Sequence, residues 1–192
     1  MLFRSLILEA LTGHDPSSNL GKRHPSGLGD KRHGTGSARI HLDEVDIALF
    51  HRKLHVHQTH DAKLERQAAL EAARLSGDRV QYINAHGTAT YANDITESEA
   101  MGIVFGPKPP PVSSTKPVHG HALGASGGLE LVVTISALRA QIAPPTINFL
   151  ELDPKCPVDP IPNTARKLPI RVALSNSFAF GGINASLVVR AL

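Results

Sequence analysis

A chain of 192 residues with 41% hydrophobic content can enclose a sizeable core in one domain, or one and a half. Aromatic residues are only 4% and Trp is missing, so the core must be built from Ala, Val, Leu and Ile; the net charge of +3 is mild, and basic residues scattered without interleaved aromatics argue against nucleic-acid binding. One cysteine excludes an internal disulfide, no apolar run approaches the ~18 residues of a membrane span, and the start is too short and too early charged for a signal peptide, so a cytoplasmic chain is expected.

Residues 1–62 read as an irregular extension, largely loop or disordered. The stretch 13–40 is rich in Gly, Ser, His and basic residues, and no period of 2 or 3.6 runs through it. His51, His55, His57 and His60 raise the question of a metal, because His51 and His55 would share a helix face. No Cys, Asp or Glu completes a standard ligand spacing, so no metal site is expected.

From residue 61 the pattern sharpens. Asp61 can cap a helix with Leu64, Ala68, Ala72 and Leu75 inward, ending at Gly77. Val80 to Ala85 reads as a buried strand, which places His86 at its C-terminal end. Asp94 and Glu97 have capping-box spacing and open a helix that closes at Phe105-Gly106-Pro107. Val112 to Thr115 reads as a short strand. A helix from Gly127 to Gln141 is expected to turn Leu129, Val132, Val133, Ser136, Ala137 and Ala140 inward, before Pro144-Pro145 stops it. Five prolines make 149–169 an irregular excursion. Two strands, Arg171 to Asn176 and Ala185 to Arg190, close the chain around a Gly181-Gly182 turn. Strands alternating with helices and ending in a hairpin predict a layered α/β domain over 63–192.

Two histidine boxes stand out, Asn84-Ala85-His86-Gly87-Thr88-Ala89-Thr90 and Ser113-Ser114-Thr115-Lys116, continued by His119-Gly120-His121-Ala122-Leu123-Gly124-Ala125-Ser126-Gly127. An imidazole beside glycine can donate to a carbonyl that becomes negative, while the glycine admits the substrate. Thr88 and Thr90 offer hydroxyls to an amide arm, which suits a thioester on phosphopantetheine. A helix start after His121 adds positive potential. Lys116 can keep the local field positive, and Glu130 can orient either the lysine or an imidazole. Each piece alone has a plainer reading: a turn, a close helix–strand contact, a solvated lysine. Their joint occurrence at ends of predicted elements favours a site.

These boxes resemble those of the β-ketoacyl-acyl-carrier-protein synthases, thiolase-like condensing enzymes. Pro144-Pro145-Thr146-Ile147-Asn148, Asp153-Pro154-Lys155-Cys156 and Asn176 to Asn184 are similar to the closing segments, so the likeness runs unbroken from Lys63 to Leu192. His119 before Gly120-His121 is similar to nodulation-type members. The resemblance implies a thiolase-like C-terminal domain, a layered mixed sheet flanked by helices, and a decarboxylative Claisen condensation of malonyl thioester. It implies His86 and His121 as the histidines that bind the malonyl carbonyl, Lys116 as the lysine that sets their field, Thr88 and Thr90 as pantetheine contacts, Phe178 as the gating phenylalanine and Glu130 as an acidic supporting residue. It also implies acyl-carrier protein as partner, a homodimer or pairing with a complete synthase, and no cofactor beyond the carrier's phosphopantetheine.

The family's nucleophilic cysteine belongs to an N-terminal half that residues 1–60 do not resemble, and Cys156 matches a surface segment instead. The expectation is therefore the C-terminal part of a synthase, inactive in condensation alone. The alternative is a non-catalytic partner subunit or a truncated gene product. Without the other half, the strands from 171 to 190 are expected to expose apolar surface.

Overall fold

The computed structural model describes residues 36–42, 45–53, 58–179 and 183–192; the Gly- and His-rich stretch before residue 36 lies outside them. Its centre is a seven-stranded mixed sheet in the order β1-β2-β9-β8-β3-β4-β6. The strands are β1 (Gly36–Leu42), β2 (Val45–Lys53), β3 (Tyr82–Asn84), β4 (Pro111–Ser113), β6 (Asp159–Pro160), β8 (Val172–Ala179) and β9 (Ile183–Ala191), while β5 (Ile142–Ala143) and β7 (Arg166–Lys167) pair separately. The β1, β2, β9 and β8 strands pair antiparallel in succession. From β8 through β3 and β4 to β6 the pairing is parallel.

Side chains alternate across this sheet as the strand period requires. Val172 and Leu174 of β8 enter one core and Ala173 the other. Ile83 and Tyr82 of β3 divide likewise, as do Val188 and Val189 of β9. One core is closed by α1 (Gln58–Ala73) and α2 (Tyr91–Phe105) through Ala69, Leu70, Ala73 and Met101. The other is closed by α4 (Ser126–Ala140), which follows the single-turn α3 (Lys116–His119), through Ala137 and Leu138. The fold is thus the expected layered α/β arrangement, with the sheet covered on both faces by this chain's own helices.

Several sequence expectations need correction. The supposed irregular extension contributes β1 and β2, and β2 sits beside β9 in the main sheet. Its pairing is pinned by Asp46, which is buried and salt-bridged at 2.7 Å to Arg190, its cross-strand partner. His51 therefore lies on a strand and shares no helix face with His55, which is outside the described residues along with His57. α1 starts at Gln58 rather than after Asp61, and its buried face is Ala69, Leu70 and Ala73, one residue out of phase with the predicted Ala68 and Ala72. In an alanine-rich helix neighbouring phases have nearly equal apolar content, so periodicity does not separate them. α2 starts at Tyr91, and the Asp94 N–H is already bonded to the Thr90 carbonyl at 3.0 Å, so no capping box forms there.

The face of α4 is also rotated from expectation. Ser126, Glu130, Thr134, Ala137 and Leu138 are buried, whereas Val132 is 64% exposed and Leu129 43%. Exposed apolar surface lies there, not on the strands from 171 to 190, which occupy the middle of the sheet. The 18-residue stretch Leu123–Ala140 does reach a mean hydropathy of 1.2, long enough by composition for a membrane span. Here it is a 3-10 turn plus α4, laid against β8 with a buried glutamate on its inner side.

The rotated face has a measurable consequence. Leu138→Ala is expected to lower unfolding free energy by about 3 kcal/mol, and Val132→Ser by less than about 0.5 kcal/mol, in urea titrations. Equal losses would restore the face read from the sequence.

Candidate catalytic site

Both histidine boxes follow parallel neighbours. β3 and β4 pair with Ile83 opposite Val112 and Asn84 opposite Ser113, so both chains leave the sheet at the same C-terminal edge. After Asn84 the backbone is held tightly. Glu97 of α2 accepts the N–H of His86 at 3.1 Å through Oε1 and that of Gly87 at 2.9 Å through Oε2. Gly87 has φ of +42°, and a Cβ there would meet Ser114 Cβ at 2.5 Å. Only glycine fits this contact, and the Ser114 hydroxyl donates to the Gly87 carbonyl at 2.9 Å.

Glu97 is itself buried and needs compensation. Arg66 of α1 donates to it at 3.1 Å and Asn176 of β8 at 3.2 Å. The Arg66 guanidinium also lies 5.3 Å from the centroid of the Phe178 ring. Phe178 in turn stands 5.6 Å from the His86 ring at 67°. A single carboxylate thus joins the backbone of the first box, two helices and the strand that carries Phe178.

In the second box Lys116 is buried at the start of α3 and pairs with Glu130 of α4, which is also buried. Burial pushes the Glu130 carboxyl above the usual carboxylate range, opposed by its hydrogen bond to Lys116. Of the two roles open to Glu130, the geometry selects the lysine. The ring of His121 is oriented by its Nδ1. Leu123 N–H donates to that nitrogen at 3.3 Å, so it must be unprotonated, and Ser126 Oγ at 3.1 Å then also donates to it. The neutral ring of His121 therefore carries its proton on Nε2.

The two imidazoles meet with centroids 5.5 Å apart and planes at 84°. His86 is 7% exposed; its Nδ1 is buried with no hydrogen-bond partner among the described residues, which leaves Nε2 as the nitrogen a ligand reaches. Burial lowers the His86 pKa to about 4, with Lys116 and His121 adding to the effect and Glu97 opposing it. The His86 ring is thus neutral near pH 7, and N–H groups on the two facing rings can be directed toward one oxygen.

Of the sequence candidates, His86, His121 and Phe178 form one ring cluster, and Lys116 with Glu130 forms the ion pair beneath it. Thr88 and Thr90 lie just beyond His86 with hydroxyls 2.9 Å apart. Cys156 is a free, buried thiol in the excursion between β5 and β6. Among the described residues no three His, Cys, Asp or Glu side chains are placed to hold a metal. Sequence reasoning missed Glu97, Arg66, Asn176 and Ser126. The signal for Glu97 was available: it shares a helix face with Ala100 and Met101, and a carboxylate on an apolar face demands partners.

Removing one member of the buried ion pair should cost more than removing both. Lys116→Met is expected to destabilise by about 3–5 kcal/mol, and Lys116→Met with Glu130→Leu to recover most of that loss in urea titrations. His86 gives a pH test. Its folded pKa lies below the unfolded value of roughly 6.5, so its contribution is complete above that pH and is lost as pH falls toward about 4. His86→Asn should flatten the stability curve across this window, by about 1–2 kcal/mol; an unchanged slope would place the titration elsewhere.

Residues 46–150 match the family described as beta-ketoacyl synthase, C-terminal domain, so the match begins inside β2 rather than at residue 63. Nodulation protein E of Rhizobium sp. strain N33 is 48% identical over 126 residues, 65% of this chain and 31% of that protein. The 3-oxoacyl-[acyl-carrier-protein] synthase 2 of Synechocystis is 48% identical over 124 residues, 64% of this chain and 30% of that protein. The crystal structure of a beta-ketoacyl synthase from Burkholderia phymatum superposes with a TM-score of 0.72 at 39% identity, over 77% of this chain and 38% of that one. The chain spans about a third of the length of the curated relatives it matches. It belongs to the β-ketoacyl synthase family of acyltransferases, over that family's C-terminal, thiolase-like domain.

Proposed function

We propose that this chain carries the decarboxylating half of a β-ketoacyl-acyl-carrier-protein synthase site. The observation that carries the reading is the pair of imidazoles 5.5 Å apart, with the Leu123 N–H bonded to Nδ1 of His121, which leaves Nε2 of that ring to carry the proton. A malonyl thioester carbonyl placed between them receives two hydrogen bonds. The bond from the α-carbon to the carboxylate then breaks, carbon dioxide leaves, and the electron pair moves into an enolate whose oxygen keeps both donors. Donors already in place where negative charge develops need no reorganisation during the step. Lys116, neutralised by Glu130, stiffens the wall below the rings and adds positive potential.

Condensation needs a thiol that holds the acyl group, and the enolate attacks that thioester carbon. Cys156 lies buried in the excursion and is assigned no such role, so the nucleophile comes from outside the residues seen here. Acyl-carrier protein is the proposed partner, with Thr88 and Thr90 taking the amides of its phosphopantetheine arm and Phe178 gating access. The substrates bring this arm with them, and no other cofactor is invoked. Pairing with a second copy or a complete synthase, in a reducing cytoplasm, is part of the same reading.

The test is release of labelled carbon dioxide from malonyl-acyl-carrier protein. His86→Ala and His121→Ala are each expected to reduce the rate by roughly 10²–10³-fold, with little effect on carrier binding. Labelled acyl-carrier protein should leave no acyl group on this chain unless a cysteine-bearing half is added. An acyl adduct on the chain alone, or decarboxylation untouched by both substitutions, overturns the reading.

A further inference from the structure

His119 is a third histidine beside the site, and nothing above uses it. It ends α3, one residue before Gly120. Its Nδ1 lies 2.7 Å from the Gly120 carbonyl oxygen, and its Nε2 lies 3.2 Å from Thr115 Oγ1. A carbonyl only accepts, so Nδ1 carries a proton and donates. In the neutral ring Nε2 then accepts from the Thr115 hydroxyl, the opposite tautomer from His121.

The bond to Gly120 acts on a critical peptide. Gly120 has φ of 75° and ψ of 174°, a conformation essentially confined to glycine. Its N–H is bonded to the Lys116 carbonyl at 2.7 Å, and its carbonyl is the one His119 holds. Both sides of this unusual residue are therefore tethered, and the direction in which His121 leaves is set by them. On its far side the chain of contacts continues inward. Thr115 is buried, and Asn84 Nδ2 stands 3.5 Å from its hydroxyl, 3.4 Å from Thr134 Oγ1 and 3.3 Å from the Glu130 carbonyl. Asn84 is the last residue of β3, two before His86.

We propose that His119 is a positioning residue of this site: it clamps the Gly120–His121 peptide and, through Thr115 and Asn84, ties the loop of His121 to the strand that presents His86. The clamp itself stands on geometry; its effect on turnover rests on the function proposed above for His121.

Nitrogen-15 histidine spectra of the intact chain test it directly, because two-bond nitrogen–proton couplings distinguish the tautomers. His119 is expected as Nδ1–H and His121 as Nε2–H. His119→Asn places an amide donor near the Nδ1 position and should keep the His121 pattern. His119→Phe keeps the ring without a donor and should mix the His121 tautomers. Decarboxylation of malonyl-acyl-carrier protein should follow, near wild type for His119→Asn and down roughly tenfold for His119→Phe, as loss of one hydrogen bond implies. His119 found as the Nε2–H tautomer in the native chain, or a His121 pattern identical in His119→Phe, overturns the proposal. If the native chain releases no carbon dioxide, the functional reading fails while the spectra still decide the clamp.

Discussion

The Glu97 carboxylate is the constraint on which the rest of this architecture turns. It lies on the buried face of α2 and accepts from the backbone of His86 and Gly87, from Arg66 on α1, from Asn93 on its own helix and from Asn176 on β8. A buried carboxylate is tolerated only when its lone pairs are filled and its charge is matched. Satisfying those demands brings four elements to one point and leaves His86 no freedom to drift. Ser186 of β9 extends the network by donating to Asn176 at 3.0 Å. The placement of His86 and fold stability are therefore coupled at the same atoms.

A second constraint is the parallel register of β3 and β4. Two boxes far apart in sequence arrive at one edge because Asn84 lies opposite Ser113, and both loops depart in the same direction. The alternation of side chains then places Tyr82 and Ile83 in opposite cores, so helices on both faces hold the short β3 in place. The Tyr82 hydroxyl shares a hydrogen bond with Ser113 at 2.8 Å and stays protonated, since burial raises its pKa. The platform under the histidines is buried, with Tyr82, Ile83, Asn84 and Ser113 all closed off from solvent.

Electrostatics inside this platform are balanced by pairs. Lys116 faces Glu130, Arg66 faces Glu97, and Arg190 faces Asp46. Each buried charge meets its opposite from another element, so each pair also fixes a relative position: α3 on α4, α1 on α2, β2 on β9. Hydrophobic packing of Ala, Val, Leu and Ile alone would tolerate sliding among near-equal arrangements, and the ion pairs select one.

Much of this was legible in the amino-acid order. The histidine boxes, the glycines beside them and the closing hairpin are local patterns, and local chemistry determined them; the last long helix ends at Ala140 with Gln141 in the left-handed region, before Pro144-Pro145 is reached. The strands β1 and β2 were not legible, because β2 pairs with β9, more than a hundred positions away, β1 is held in turn by β2, and their own stretch is rich in charge and histidine. The face of α4 was misread for a related reason. Glu130 and Thr134 look like surface residues until Lys116 and Asn84 are seen to meet them, while Leu129 and Val132 look like core until the sheet lies on the other side. The sequence by itself determined which residues are candidates for the chemistry and where strands and helices alternate, since both follow from short-range spacing. Only the tertiary structure decided that Glu97 turns toward His86, that Glu130 pairs with Lys116 and that the two imidazoles stand at right angles, because each depends on long-range contacts that no local period encodes.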